Sequence, residues 1–316
     1  MLISVLIPAY ARPEQLGDAL ASIALQDRSV VGEVIVSDDS PRAYWERNQA
    51  VIASSGVADL VAYSPNEPSL GIYPNHWSLA EKAKCSHVLF LHNDDMLCPG
   101  GLRVLSDMCE NETDPRVKLW FGNCLITDEN GRVDPVRTAE RDRDYGRTGP
   151  ARAEPMWQWC LTESIPPNCF LVEREAYLRH MRGSNDGNVG DWATNVRMAN
   201  DGAWARSTRA EVSLYRVQDD SVTNAGRGVD VHRSYEFFQQ LEVPPEFVAQ
   251  KDARLAFMAP AATVRYARDG ERRSAWTCYL SGHWSWRKRL SARGAKALVA
   301  LMMPKPLWKW ALRYRD

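Results

Sequence analysis

Two short apolar runs in this chain end in adjacent aspartates. Glu33-Val34-Ile35-Val36-Ser37 leads to Asp38-Asp39, and His87-Val88-Leu89-Phe90-Leu91 leads through His92-Asn93 to Asp94-Asp95. Runs of this length and β-branched content read as buried strands, and in open α/β sheets ligands sit outside the carboxyl ends of strands. If the two strand ends are neighbours, up to four acids surround one crevice, where they would repel and raise one another's pKa. A hard divalent cation with oxygen ligands, shared with a ligand's phosphates, removes that conflict, and Mg²⁺ or Mn²⁺ suits it better than zinc. The competing reading of each pair is a cap on the following helix.

The elements that must hold these acids alternate. Ile3 to Ile7 is a first strand, and Pro13 to Gln26 follows with Leu16, Ala19, Leu20 and Ile23 at helical spacing. Glu33 to Val36, Leu60 to Tyr63 and His87 to Leu91 are further strands, with a helix over about Asn75 to Lys84. This order predicts βαβ units and an α/β fold with a mostly parallel mixed sheet flanked by helices. Beyond a helix at Gly101 to Glu110, Val117 to Ile126 reads as strand and Asp128-Glu129-Asn130-Gly131 as a hairpin turn. Residues 134–156, charged and without periodicity, read as a surface loop. Trp157 to Thr162, Glu173 to Met181 and Asp191 to Asp201 read as helices, Phe170 to Val172 and Glu211 to Val217 as strands, and the chain from Ser234 as helical.

Composition narrows the class. The 316 residues are 45% hydrophobic and 25% charged with a net charge of −1, which fits a globular protein and argues against a general polyanion binder. Seven cysteines without a C-x-x-C pair suggest reduced thiols and a cytoplasmic setting. The start MLISVLIPAYARP reads as a buried strand rather than a signal peptide, and no apolar run is long enough to span a membrane. No G-x-G-x-x-G or G-x-x-x-x-G-K-[ST] is present, which leaves dinucleotide and P-loop readings without support. From Trp284 to the end, nine Lys or Arg face one acid and interleave with Leu, Met and Trp, a composition suited to nucleic acid or an anionic membrane surface. The acidic remainder of the chain disfavours nucleic acid.

Taken in order, Val5-Leu6-Ile7-Pro8-Ala9-Tyr10, Leu20-Ala21-Ser22-Ile23, Val34-Ile35-Val36-Ser37-Asp38-Asp39-Ser40, Gly71, Asn75 and Leu89-Phe90-Leu91-His92-Asn93-Asp94-Asp95 resemble the inverting family-2 glycosyltransferases of GT-A fold. The resemblance implies that Pro8, Ala9, Tyr10 and Arg12 line a nucleotide-sugar pocket with Gly71 and Asn75, and that Asp39, with Asp38, reads the base. It places Asp94 near the ribose or diphosphate, makes Asp95 the metal ligand, and leaves Asn93 to offer a neutral oxygen. It assigns the catalytic base to Asp191, in Gly190-Asp191-Trp192, although Gly190 stands where the family often has Glu. Displacement at an anomeric carbon needs such a base to take the acceptor hydroxyl's proton. Asp186 and Glu163 are rivals, and an N-cap is the alternative use of Asp191. Tyr215-Arg216-Val217-Gln218 resembles a family motif in which a His assists the metal. Gln218, a weaker metal ligand, stands at that place.

Twelve tryptophans offer indole faces for sugar stacking, and Trp157, Trp159 and Trp192 fall in the expected acceptor half. The expected organisation is a glycosyltransferase domain over 1–225, with a nucleotide-sugar half (1–100) and an acceptor half (101–225). A helical extension follows over 226–316, basic from 284. The expected activity is metal-dependent transfer of a sugar from a nucleotide-diphosphate sugar to an acceptor hydroxyl, with inversion, on a cell-surface polysaccharide or lipid-linked glycan. The expected location is the cytoplasm or the inner face of the cell membrane. The competing class is a non-catalytic sugar-nucleotide or glycan-binding relative, suggested by Asn93, Gly190 and Gln218.

Overall fold

A computed structural model of the protein describes residues 1–162, 164–181, 190–217 and 231–303. The chain divides into two compact units, Met1–Gln218 and Asp219–Asp316.

The first unit carries strands β1 (Ile3–Ala9), β2 (Val31–Asp38), β3 (Val61–Pro65), β4 (His87–Phe90), β5 (Met96–Leu97), β6 (Val117–Thr127), β7 (Arg152–Pro155), β8 (Phe170–Glu173) and β9 (Trp204–Arg216). Its helices are α1 (Pro13–Ala24), α2 (Trp45–Ser54), α3 (Ile72–Lys82), α4 (Gly101–Glu110), α5 (Pro135–Asp144), α6 (Met156–Thr162), α7 (Arg174–His180) and α8 (Gly190–Asn200). The strands form one sheet in the order β3-β2-β1-β4-β8-β6-β9-β5, with β7 paired to β9. The pairs β1–β2, β1–β4, β2–β3 and β6–β9 are parallel, and the others antiparallel.

The apolar runs explain the parallel half. Strand β1 is covered on both faces, so Val5, Leu6 and Ile7 are all fully buried, and a strand in that position reads as a continuous apolar run. Pro13 opens α1 at a position where its missing N–H costs nothing, and Leu16, Ala19, Leu20 and Ile23 bury one stripe in the same core as Val34, Val36 and Leu89. Each such side chain contributes about 1.5–3 kcal/mol when fully buried.

The reading of residues 134–156 as a structureless loop is corrected. Asp134 Oδ1 accepts from the Arg137 N–H (3.0 Å), Pro135 takes the first helical position, and α5 follows with no buried residue. A helix polar all round carries no apolar periodicity, which is why the sequence pattern misses it. Arg152–Pro155 adds β7 to the sheet beside β9.

The second unit has α9 (Val231–Gln240), α10 (Val248–Asp269), α11 (Arg272–Leu280), α12 (Trp286–Arg289) and α13 (Ala292–Met302). Helix α10 is its spine and packs against α9, α11 and α13. All seven cysteines are free.

Candidate functional site

Strands β3, β2, β1 and β4 run parallel, so their carboxyl ends share one edge. The connections turn outward from β1 in opposite directions, which opens a crevice between the ends of β1 and β4. Both aspartate pairs reach this edge. The β1–α1 turn is strained at Ala11, whose φ of 49° is unusual for a residue with a side chain, and Arg12 beyond it forms an ion pair with Asp94 across the crevice. Tyr10 is exposed at the mouth.

Both members of the first pair are hydrogen-bonded within the protein. Asp38 is fully buried and accepts four donors: the Ser40 N–H (2.9 Å), Ser40 Oγ, Asn48 Nδ2 (2.7 Å) and Tyr63 Oη (2.7 Å). Ser40 Oγ also accepts from the Ala11 N–H (2.8 Å), so Asp38 ties the β1–α1 turn to β2 and β3. These contacts give Asp38 a structural role as a tie between the strands. Asp39 holds the loop before α3, accepting Asn66 Nδ2 (2.8 Å), Ser69 Oγ (2.9 Å) and the N–H groups of Leu70 (3.0 Å) and Gly71 (2.7 Å). Gly71, at φ 86°, makes the turn into α3 that a side chain would resist. Asn75 is buried, with Nδ2 on the Ser37 carbonyl (3.1 Å), and braces this loop.

The second pair divides its roles. Asp94 is half-buried against Arg12. Asp95 is buried, with Oδ1 accepting the Arg216 N–H (2.9 Å) and Oδ2 accepting Asn168 Nδ2 (2.7 Å). Burial, and then the charge of Asp94, raise its pKa well above the ordinary carboxylate range. His92, Asp94 and Asp95 each present a ligating atom within 4.8 Å of the others. Both Asp95 oxygens retain a lone pair, and Asn168 Oδ1 is buried without a partner among the described residues. A carboxylate pair with an imidazole and an unpaired amide oxygen fits a divalent cation, which would also relieve the buried charge. Asn93 is buried beside them.

Asp191 lies in the first turn of α8, far from these residues in sequence, yet it lines the same cavity as His92. The cavity, of about 100 Å³, is walled by Tyr73 and His76 of α3, Phe90, the Ile165-Pro166-Pro167 segment, Tyr177 and Thr194. Asp191 is half-buried, and that burial raises its pKa although its Oδ1 accepts the Trp192 N–H (2.9 Å). His76 stacks on Phe90 (5.2 Å) and meets the edge of His92 (5.7 Å); burial, then the neighbouring His92, lower its pKa to about 4.

The tryptophans sort differently from expectation. Trp157 and Trp159 are 4% and 2% exposed, and Trp159 donates its indole N–H to the Ala205 carbonyl (3.2 Å) while its face carries Arg152 (4.5 Å). Both belong to the core and offer no face to a sugar. Trp192 is half-buried and does not line the cavity. Gln218, Asp186 and Glu163 lie outside the described residues.

Three further residues reach the site: Arg216 stands inside the Tyr215–Gln218 motif, while Asn168 and Tyr73 lie outside any motif. Asn168 is placed on Asp95 by the turn at Cys169, whose φ of 58° is strained for a non-glycine residue and whose N–H donates to the Phe90 carbonyl (2.7 Å). The segment Pro166-Pro167-Asn168 before a strand was the available signal. Arg216 supplies its N–H to Asp95 and its guanidinium to Asp18 (2.6 Å). Tyr73 packs its ring on Gly190, immediately before Asp191.

Comparison with known structures defines the class of fold. The chain superposes on TarS of S. aureus in complex with UDP-GlcNAc with a TM-score of 0.60 at 15% identity, covering 95% of this chain and 80% of that one. Mannosyltransferase PcManGT from Pyrobaculum calidifontis, in complex with GDP-Man and Mn²⁺, superposes with a TM-score of 0.58 at 17% identity, covering 98% and 82%. The fold is therefore GT-A-like, as in these glycosyltransferases. Among curated proteins, an uncharacterized protein of Mycobacterium tuberculosis (strain CDC 1551 / Oshkosh), MT1568, is 33% identical over 152 residues, a match spanning 46% of this chain and 45% of that protein. No protein-family profile matches the chain.

Proposed function

We propose that the chain is an inverting glycosyltransferase of the family-2 type that moves a sugar from a nucleoside-diphosphate sugar to an acceptor hydroxyl. The observation that carries the reading is the meeting of His92, beside Asp94 and Asp95, with Asp191 on one cavity at the carboxyl edge of the parallel strands. The GT-A-like fold supports it, as do the UDP-GlcNAc bound by TarS and the GDP-Man and Mn²⁺ bound by PcManGT.

In this account Tyr10 and Arg12 flank the nucleotide, and Asp39 exchanges its loop partners for the base. His92, Asp94 and Asp95 would hold Mn²⁺ or Mg²⁺, which supplies positive charge against the departing diphosphate. Arg12, already paired with Asp94, lies beside that charge and can turn to the phosphates. The acceptor hydroxyl gives its proton to the Asp191 carboxylate as its oxygen bonds to the anomeric carbon, and the bond to the diphosphate breaks on the opposite face. Burial suits Asp191 to this work, because a carboxylate whose pKa is raised is a stronger base than an exposed one. A cell-surface polysaccharide or lipid-linked glycan is the acceptor class, and the cytoplasmic side of the membrane the location.

The test is release of nucleoside diphosphate when UDP- and GDP-sugars, Mn²⁺ and glycan acceptors are supplied. Turnover supports the reading; donor binding without turnover under every condition would assign the chain to the non-catalytic class instead.

A further inference from the structure

We infer that the solvent-facing side of α13, with the cations beside it, docks on an anionic lipid surface. Helix α13 is apolar on two faces. Gly294, Ala297, Ala300 and Leu301 are buried, and α13 packs on α10 and α11 of the same unit, which accounts for the helix and for its Ser291 cap on the Gly294 N–H. Opposite them, Ala292, Ala295, Leu298, Val299 and Met302 fall on one arc at about 100° per residue. Leu298, Val299 and Met302 are 42%, 59% and 67% exposed. Among the described residues the packing of the unit explains the first face and leaves the second exposed, an arrangement that marks an interaction site when polar residues rim it.

The rim is cationic. Lys296 borders the arc, Arg293 lies in the first turn of α13 and Arg287 on α12, all exposed, while Trp286 and Leu290 are exposed in and just after α12. No acidic residue occurs between Glu271 and Asp316, so nothing there repels an anionic surface. A helix with aliphatic and Trp side chains toward the acyl boundary and Lys or Arg toward the headgroups is the arrangement that lies in a membrane interface. Nucleic acid would engage the cations and leave Val299 and Met302 in water, and a second copy would bring like charges together. Among the described residues no helix is long and apolar enough to cross a membrane, so the contact is interfacial. This inference stands independently of the glycosyl-transfer reading.

Sedimentation of the full chain with phosphatidylglycerol–phosphatidylcholine vesicles, against phosphatidylcholine alone, tests it. The wild type should partition to the anionic vesicles. Val299→Glu with Met302→Glu, both at exposed positions, should lower that partition at least about tenfold with an unchanged melting temperature. Lys296→Glu should lower it about fivefold, and high salt should act in the same direction. Equal binding to both vesicle types, no binding to either, or wild-type binding by both variants would overturn the inference. A concentration-dependent dimer broken by Val299→Glu would overturn it too, assigning the face to a second copy.

Discussion

The ring of Tyr73 lies against the α-carbon of Gly190: a Cβ at residue 190 would stand 2.5 Å from Tyr73 Cε1 and Cζ, closer than real contacts allow. Helix α3 and the start of α8 therefore fit together because residue 190 has no side chain and Tyr73 fills the space beside it. The contact also links the two ends of the site, since the Gly71 turn that opens α3 is held by Asp39, and Asp191 follows Gly190 directly.

Gly190→Ala should therefore push Tyr73 aside and shift the turn that carries Asp191. Overpacking of this kind costs about 1–3 kcal/mol, read as a lower denaturation midpoint, together with a fall in turnover. Tyr73→Ala combined with Gly190→Ala should recover much of the midpoint. A double variant as unstable as the sum of the singles would show that the two residues do not act through this contact.

The cation site makes a prediction that needs no substrate. In the proposed reading Mn²⁺ binds the folded arrangement of His92, Asp94 and Asp95 and not the unfolded chain, so at a hundredfold excess over Kd it should stabilise the protein by about 2.7 kcal/mol and raise its melting temperature. Asp95→Ala should abolish the response, and Asn168→Ala should weaken it by freeing the Asp95 carboxylate from its brace. An equal Mn²⁺ shift in wild type and Asp95→Ala would place the metal elsewhere.

Burial raises the Asp191 pKa above its ordinary value of 3.8. A general base works ionised, so kcat should rise with pH through that raised value, and the acidic limb should lie above the usual carboxylate range. The sign for stability is opposite. What the protonated group contributes is fully present below 3.8 and is lost as pH rises through the folded value, so Asp191→Asn should raise the melting temperature at pH 7 but not at pH 3.5. Thermal melts at the two pH values check this.

Trp159, which the sequence suggests as a sugar platform, sits in the core, edge-on to Phe121 (5.2 Å) and under Arg152. Trp159→Ala should cost about 3–5 kcal/mol of stability by denaturant titration, while any folded enzyme keeps its donor affinity.

What the sequence revealed followed from local pattern. Val34 to Asp39 and His87 to Asp95 are apolar runs with acids at their ends, and a parallel strand buried on both faces has no other way to read. What it hid depended on contacts between distant segments. That Asp38 is a tie follows from Asn48 of α2 and Tyr63 of β3, neither of which carries a motif. Helix α5 escaped because its faces are all polar, although Asp134-Pro135 was a legible cap. The indole of Trp159 gave no sign of its direction, since a core tryptophan and a sugar platform share one composition.

The central claim is that Asp191 and the Asp94-Asp95 strand end act on one substrate. The most direct measurement is single-turnover release of nucleoside diphosphate with Mn²⁺ and acceptor, compared between wild type and Asp191→Asn, with donor affinity measured alongside. The account predicts a rate loss of about 10² to 10⁴ with donor affinity nearly unchanged. An Asp191→Asn enzyme that keeps most of its wild-type rate would contradict it.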